Sequence, residues 1–184
     1  LSSRAFDLRS LLHRVAAVVM CLASFYHLYY VIFTVRGRQL VKDLWFRLQD
    51  ARDLVGMLKY NAGLTPVKPR LDRFSYVEKA EYWALIWGTV VMTLTGFVLW
   101  FENQALRAMP KWVLDLATLI HYYEAWLATL SIIVWHFYFV IFNPDTYPLN
   151  LAFWKGTLTE EEMHEEHPLE LEQLKREAAA EETR

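Results

Sequence analysis

The sequence predicts an all-α fold: a transmembrane helical bundle with three spanning helices in this chain plus a surface amphipathic helix. Three observations carry that prediction. The 19 Lys and Arg and 21 Asp and Glu are wholly absent from 15–35, 82–101 and 125–142. Soluble helices interleave charges, whereas a membrane helix needs roughly 20 apolar residues in a row. Lipid offers no partner for open backbone groups, so such runs must be helical, and the alternating pattern of a barrel strand is missing. Finally, Tyr82, Trp83, Trp100, Trp112, Tyr122, Tyr123 and Tyr138 mark the ends of the apolar runs, as an interfacial aromatic belt does.

In chain order, the spans are expected at about 8–35, 80–101 and 113–142. The connection 36–79 carries ten Lys and Arg, whereas 102–112 carries only Arg107 and Lys111. The positive-inside bias therefore puts 36–79 in the cytoplasm, and the tail 143–184 with it, because acidic residues weigh little in orientation. Spans one and three then run parallel. Within 36–79, Leu40, Leu44, Leu48, Ala51, Leu54 or Val55, and Leu58 recur at helical spacing. This predicts one amphipathic helix on the inner membrane surface, with a soluble partner-docking helix as the alternative. Asn61 to Gly63 should end it, and Pro66 and Pro69 should extend the connector. The acidic tail reads as a solvated helix over 159–182, separate from the bundle at 1–142.

Net charge is −2, which does nothing to favour nucleic acid as a partner. The lone Cys21 excludes an internal disulfide, a cysteine-rich zinc site and c-type haem attachment. His164 and His167 enclose two residues, one too few for the H-E-x-x-H zinc pattern, and read as solvated.

The chemistry lies in four other histidines. Ionisable groups inside a span are costly and therefore functional candidates. His13 and His27 lie in the first span, His121 and His136 in the third. At 100° per residue, a separation of 14 returns to within about 40° of the starting face, and 15 to within about 60°. Each pair shares a face, about 21–23 Å apart along the axis. On parallel helices, His13 can oppose His121 near the outer surface and His27 can oppose His136 nearer the inner one. Paired imidazoles between helices suit the axial positions of haem iron, so four of them suit two haems. Hydrogen bonding between helices, a proton relay or another metal remain open alternatives. For a zinc or di-iron site only Glu124, three residues after His121, offers a nearby carboxylate. Arg4, Arg9 and Arg14 flank His13, and Arg36 and Arg38 follow His27, where guanidinium groups can pair with haem propionates or simply anchor the interface. Gly88 and Gly96 allow a close approach by a helix or a haem ring.

The stretches LLHRVAAVV, RFSYVEKAEYWALIWGTVVMTLTG and LIHYYEAWLATLSIIVWHFYFVIFNPDTYP resemble the membrane cytochrome b subunits of respiratory formate dehydrogenases and nickel-iron hydrogenases. The nearest branch is similar to the cytochrome b/b6-domain proteins found beside multihaem cytochromes c. The likeness spans most of the chain, including the EEHPLE tail. It implies two b haems in a bacterial cytoplasmic membrane, passing electrons between an iron–sulfur or multihaem cytochrome c subunit and menaquinone or ubiquinone. Chemistry beyond the quinone is not implied. Members of this family have four spans, the first bearing a ligand histidine, and the chain from Leu1 matches the last three. His13, His121 and His136 then match family ligands, while the partner of His136 is either on a missing N-terminal helix or is His27. The resemblance also implies a quinone site at Arg73 to Lys79, with Ser75, Glu78 and Lys79 as its candidates; Ser75 and Val77 stand where the formate dehydrogenase type has Asn and Gly. Glu78, Lys79 and Glu81 could exchange protons there, or simply cap a helix. Two alternatives to this function are a non-redox membrane scaffold and a transmembrane reductase of a soluble acceptor.

Overall fold

The structure is a computed structural model describing residues 3–144 and 146–182, with side chains from Ala5 onward. Among the described residues all regular elements are helical. They are α1 (Ser3–Phe33), α2 (Val35–Asp43), α3 (Leu48–Asn61), α4 (Tyr76–Trp100), α5 (Glu102–Ala108), α6 (Lys111–Leu130), α7 (Ala152–Lys155), α8 (Glu160–Glu166) and α9 (Pro168–Glu182). Three stretches are long and apolar enough to cross a membrane: Ala5–Phe33, Tyr76–Trp100 and Lys111–Phe142. They coincide with the three expected spans to within a few residues. Large side chains along them face outward, Leu22 and Phe25 among them, and no large side chain among the described residues is fully buried. Beside Leu44, Val77, Ala105 and Ala117, the buried positions include the polar Lys79, Asp50, Ser75 and Thr95. Hydrocarbon solvates apolar surface as well as a core does, so polar groups are what a membrane protein must turn inward.

The chain divides into two compact units. One comprises Leu1–Lys42 and Leu85–Ala128, the other Asp43–Ala84 and Thr129–Arg184.

In the first unit, α1 ends on a sharp corner. Thr34 Oγ1 donates to Tyr30 O at 2.8 Å and accepts from Gly37 N at 2.9 Å, capping α2 in the process. A Cβ at Gly37 would run into the Tyr30 carbonyl, so the corner needs glycine.

In the second unit, the single amphipathic helix expected over Leu40 to Leu58 is interrupted. The break falls at 44–47, between α2 and α3. Periodicity could not reveal it, because the cause is tertiary. Trp83 of α4 donates its indole N–H to Leu44 O at 2.9 Å, and the Trp45 ring meets Trp83 edge-on at 5.3 Å. Asp50 Oδ2 accepts from Arg47 N at 2.6 Å and so caps α3. The far end agrees with expectation: α3 stops at Asn61, and Gly63 takes a positive φ of 70° while its N–H returns to Tyr60 O.

The tail also departs from a freely solvated helix. Leu169 N donates to Leu71 O at 3.2 Å, Arg70 pairs with Glu172, and His167 Nδ1 lies 3.0 Å from Asp72 O. Acidic α9 thus docks on the basic connector, a charge match between segments about a hundred residues apart in sequence. His164 stays exposed, as expected.

Candidate functional site

The first unit brings His13 and His121 together. Their ring centroids lie 6.1 Å apart with planes at 85°. Two imidazoles bound to opposite sides of one metal would need about 2 Å per metal–nitrogen bond plus roughly 1.1 Å from nitrogen to ring centre, or about 6.2 Å in all. The observed separation matches. The orientation of His121 follows from its neighbour on α4. Thr95 Oγ1 donates its one proton to Val91 O at 2.7 Å, so toward His121 Nδ1, 2.8 Å away, it acts as acceptor. His121 therefore carries its proton on Nδ1 and leaves Nε2 as the free lone pair, the usual arrangement of a metal-ligating histidine. Gly96 lies beside the ring: a Cβ there would make an ordinary contact with His121 Cε1 at 3.4 Å.

The second unit treats His136 in the same way with a different partner. Its Nδ1 lies 3.2 Å from Glu81 Oε2, where a carboxylate accepts the ring N–H and again leaves Nε2 free. Glu81 Oε1 is buried and meets no donor among the described residues. His136 also ends a wide-turned stretch. After α6 the helix continues as π-helical turns over Ser131–His136 and Tyr138–Phe142, with Phe137 N bonded to Ile132 O five residues back. π-helical turns within α-helices are frequent at functional sites.

Thr95 was not singled out by sequence reasoning, and Glu81 was read as a proton exchanger or a helix-capping charge. A weak signal was available: Glu81 and Thr95 lie 14 apart on α4, the spacing of the first histidine pair, though Lys79 and Thr93 share it.

The other candidates fall as follows. His27 sits partly covered on α1 in the first unit, two heptads after His13 and on the same helix face. Arg14 stacks over the Trp100 ring at 5.2 Å and Arg9 over Phe6 at 5.2 Å, while Arg36 is exposed at the start of α2. The side chain of Arg4 lies outside the described residues. Arg38 donates to Ile32 O at 2.9 Å. Ser75 and Glu78 cap the start of α4: Ser75 N and Oγ both donate to Glu78 Oε2, the amide at 2.8 Å, and Ser75 Oγ accepts from Val77 N at 3.1 Å. Lys79 Nζ pairs with Asp50 Oδ1 at 2.7 Å, with 3% and 9% of the two side chains exposed. Glu124 faces Gly88, where a Cβ would lie 2.9 Å from Oε1. No three His, Cys, Asp or Glu side chains gather as a metal site among the described residues. A pair of imidazoles suits a metal whose other ligands come from a macrocycle.

The model of one protein family, prokaryotic cytochrome b561, matches residues 2–150. The chain belongs to the prokaryotic cytochrome b561 family. Membership makes it a membrane cytochrome b of the hydrogenase type and implies electron transfer through haem b. The His13–His121 pair, with its ring separation and the free Nε2 of His121, fits that group. No curated protein and no solved structure matches the chain.

Proposed function

We propose that this cytochrome b561 relative is the membrane subunit of a respiratory oxidoreductase, holding two b haems in the bacterial cytoplasmic membrane. Electrons pass between a quinone and an extracytoplasmic iron–sulfur or multihaem cytochrome c subunit. His13 and His121 form the outer ligand pair and His136 one side of the inner pair, whose other side is His27 or a histidine of another helix. The connector 36–79 and the tail are cytoplasmic, in keeping with the ten Lys and Arg of that connector. The observation that carries the reading is the 6.1 Å separation of the His13 and His121 rings on two membrane helices of a haem-protein family.

Haem b, when bound, supplies a one-electron centre at each imidazole pair. The protein's own work is to orient and to exclude. Thr95 and Glu81 fix the rings of His121 and His136 with Nε2 toward the ligand position. Apolar spans keep water from both. Arg9, Arg14 and Arg36, near the helix ends, are the proposed partners for propionates.

The quinone site belongs at the start of α4, on the reading that Ser75, Glu78 and Lys79 frame it. A hydroxyl and a carboxylate are joined there in the first turn of a membrane helix, and the neighbouring Lys79 ammonium is held inward on Asp50. Oxidising a quinol gives up two electrons and two protons, and Glu78 is the carboxylate at that edge able to take one.

A reduced-minus-oxidised spectrum with a haem count tests the assignment. Two b haems per chain are expected, falling to one in His121→Ala and in His136→Ala. A preparation without a b-type α band would leave a non-redox scaffold. Full haem content in His27→Ala would hand the fourth ligand to another helix. A quinone-site inhibitor that leaves both potentials unmoved would favour a soluble acceptor.

A further inference from the structure

The two ligand histidines on the third span are held by partners of different charge, both presented by α4. His121 Nδ1 meets the neutral hydroxyl of Thr95 at 2.8 Å, and His136 Nδ1 meets the carboxylate of Glu81 at 3.2 Å. The hydroxyl spends its proton on Val91 O and accepts from the ring as a neutral oxygen. The carboxylate is a stronger acceptor in two respects. It carries charge, and charge-assisted hydrogen bonds are roughly twice as strong as neutral ones. Its other oxygen is buried without a donor among the described residues, so the hydrogen bond from the imidazole is what engages the carboxylate there.

An axial imidazole that gives its N–H to a carboxylate gains electron density and stabilises the oxidised, more positive iron. We infer that Glu81 and Thr95 are positioning residues that set two haem centres apart in potential, the His136 centre lower and the His13/His121 centre higher. This rests on the dihaem reading above. The resulting order makes one direction downhill: one electron leaves the His136 centre, which is oxidised, and enters the other, which is reduced, with no proton taken up at either. In the proposed orientation that is outward transfer, from a quinol to the extracytoplasmic partner.

Spectroelectrochemical titration of the purified protein, with haem content measured on the same samples, tests it. Glu81→Gln keeps the size and a carbonyl acceptor but removes the charge. It should raise the lower potential toward the upper one and leave the upper unmoved, while Glu81→Asp restores a low value. Thr95→Val should move only the upper potential. Two haems with both potentials unchanged in Glu81→Gln would overturn the inference and leave the dihaem reading intact. Should Glu81→Gln lose haem, the single-centre variants decide. The centre left in His121→Ala must titrate lower than the one left in His136→Ala, and equal or reversed order overturns the inference. A wild-type protein holding fewer than two haems refutes the underlying reading instead.

Discussion

Replacing Asp50 with Asn tests the polar junction that ties α3 to the start of α4. Lys79 and Asp50 bury all but 3% and 9% of their side chains, at 2.7 Å from Nζ to Oδ1, and Asp50 Oδ2 also accepts from Arg47 N at 2.6 Å. The substitution leaves an ammonium out of water with no counter-charge, and removing one member of a buried pair costs about 3–5 kcal/mol. Asn keeps one oxygen to accept from either the ammonium or the Arg47 amide, so the expected cost is near the lower end, about 3 kcal/mol. At about 1.4 kcal/mol per factor of ten, the population with α3 detached rises roughly 100-fold. Trypsin reads that population when opening is faster than cutting. Cleavage at Arg52 and Lys59 should therefore accelerate about 100-fold relative to exposed Lys155 in the same sample. Asp50→Leu combined with Lys79→Met removes both charges and should return cleavage close to the wild-type rate, since an apolar pair of similar volume replaces a buried ion pair at little cost. Acceleration of less than about threefold in Asp50→Asn, or a double variant as labile as the single one, would refute the reasoning.

Other predictions concern space, ligation and pH. A Cβ at Gly96 would touch His121 Cε1 at 3.4 Å, an ordinary contact. Gly96→Ala should keep full haem content, whereas Gly96→Leu should displace the ring and lose one haem by the pyridine haemochrome assay. His13→Ala should remove the same haem as His121→Ala, and the remaining centre should keep its potential in a redox titration. At Gly88 the atom in the way is Glu124 Oε1, the end of a flexible side chain, so Gly88→Ala should cost under about 1 kcal/mol by detergent-denaturation midpoint. In α8, the Thr159 backbone amide and then its hydroxyl hold the Glu162 carboxyl below its ordinary value, and Lys175 does the same for Glu160 through a hydrogen bond and its charge. A lowered native value means the stabilisation is present above the ordinary carboxylate range and is lost as pH falls through the lowered one. Amide exchange in α8, measured from pH 6 downward, should lose protection only in that acid window.

The spans were legible because hydrocarbon imposes one simple demand, an uncharged helical run, and the windows between Val15 and Phe142 meet it. His13 with His121 was legible too, since spacing along a helix is arithmetic. What stayed hidden depends on cross-chain neighbours. Trp83 reaching Leu44 O broke a helix that the Leu periodicity drew as continuous. Thr95 looks like any span threonine until its hydroxyl is seen against His121. Lys79 read as a rim group beside the proposed quinone site, yet its ammonium is turned inward onto Asp50, a pairing across 29 residues that no local pattern encodes. The tail, polar all round, gave no sign that Glu170 and Glu172 had Arg73 and Arg70 to meet.

Both restraints on the ligand rings ride on the single uninterrupted rod Tyr76–Trp100. Adding or deleting one residue between Glu81 and Thr95 would swing one of them about 100° around the axis relative to the other. Side-chain exchanges along that stretch can be absorbed, but a change in its length cannot. Relatives that keep both anchors should therefore vary freely in letters there and never in number.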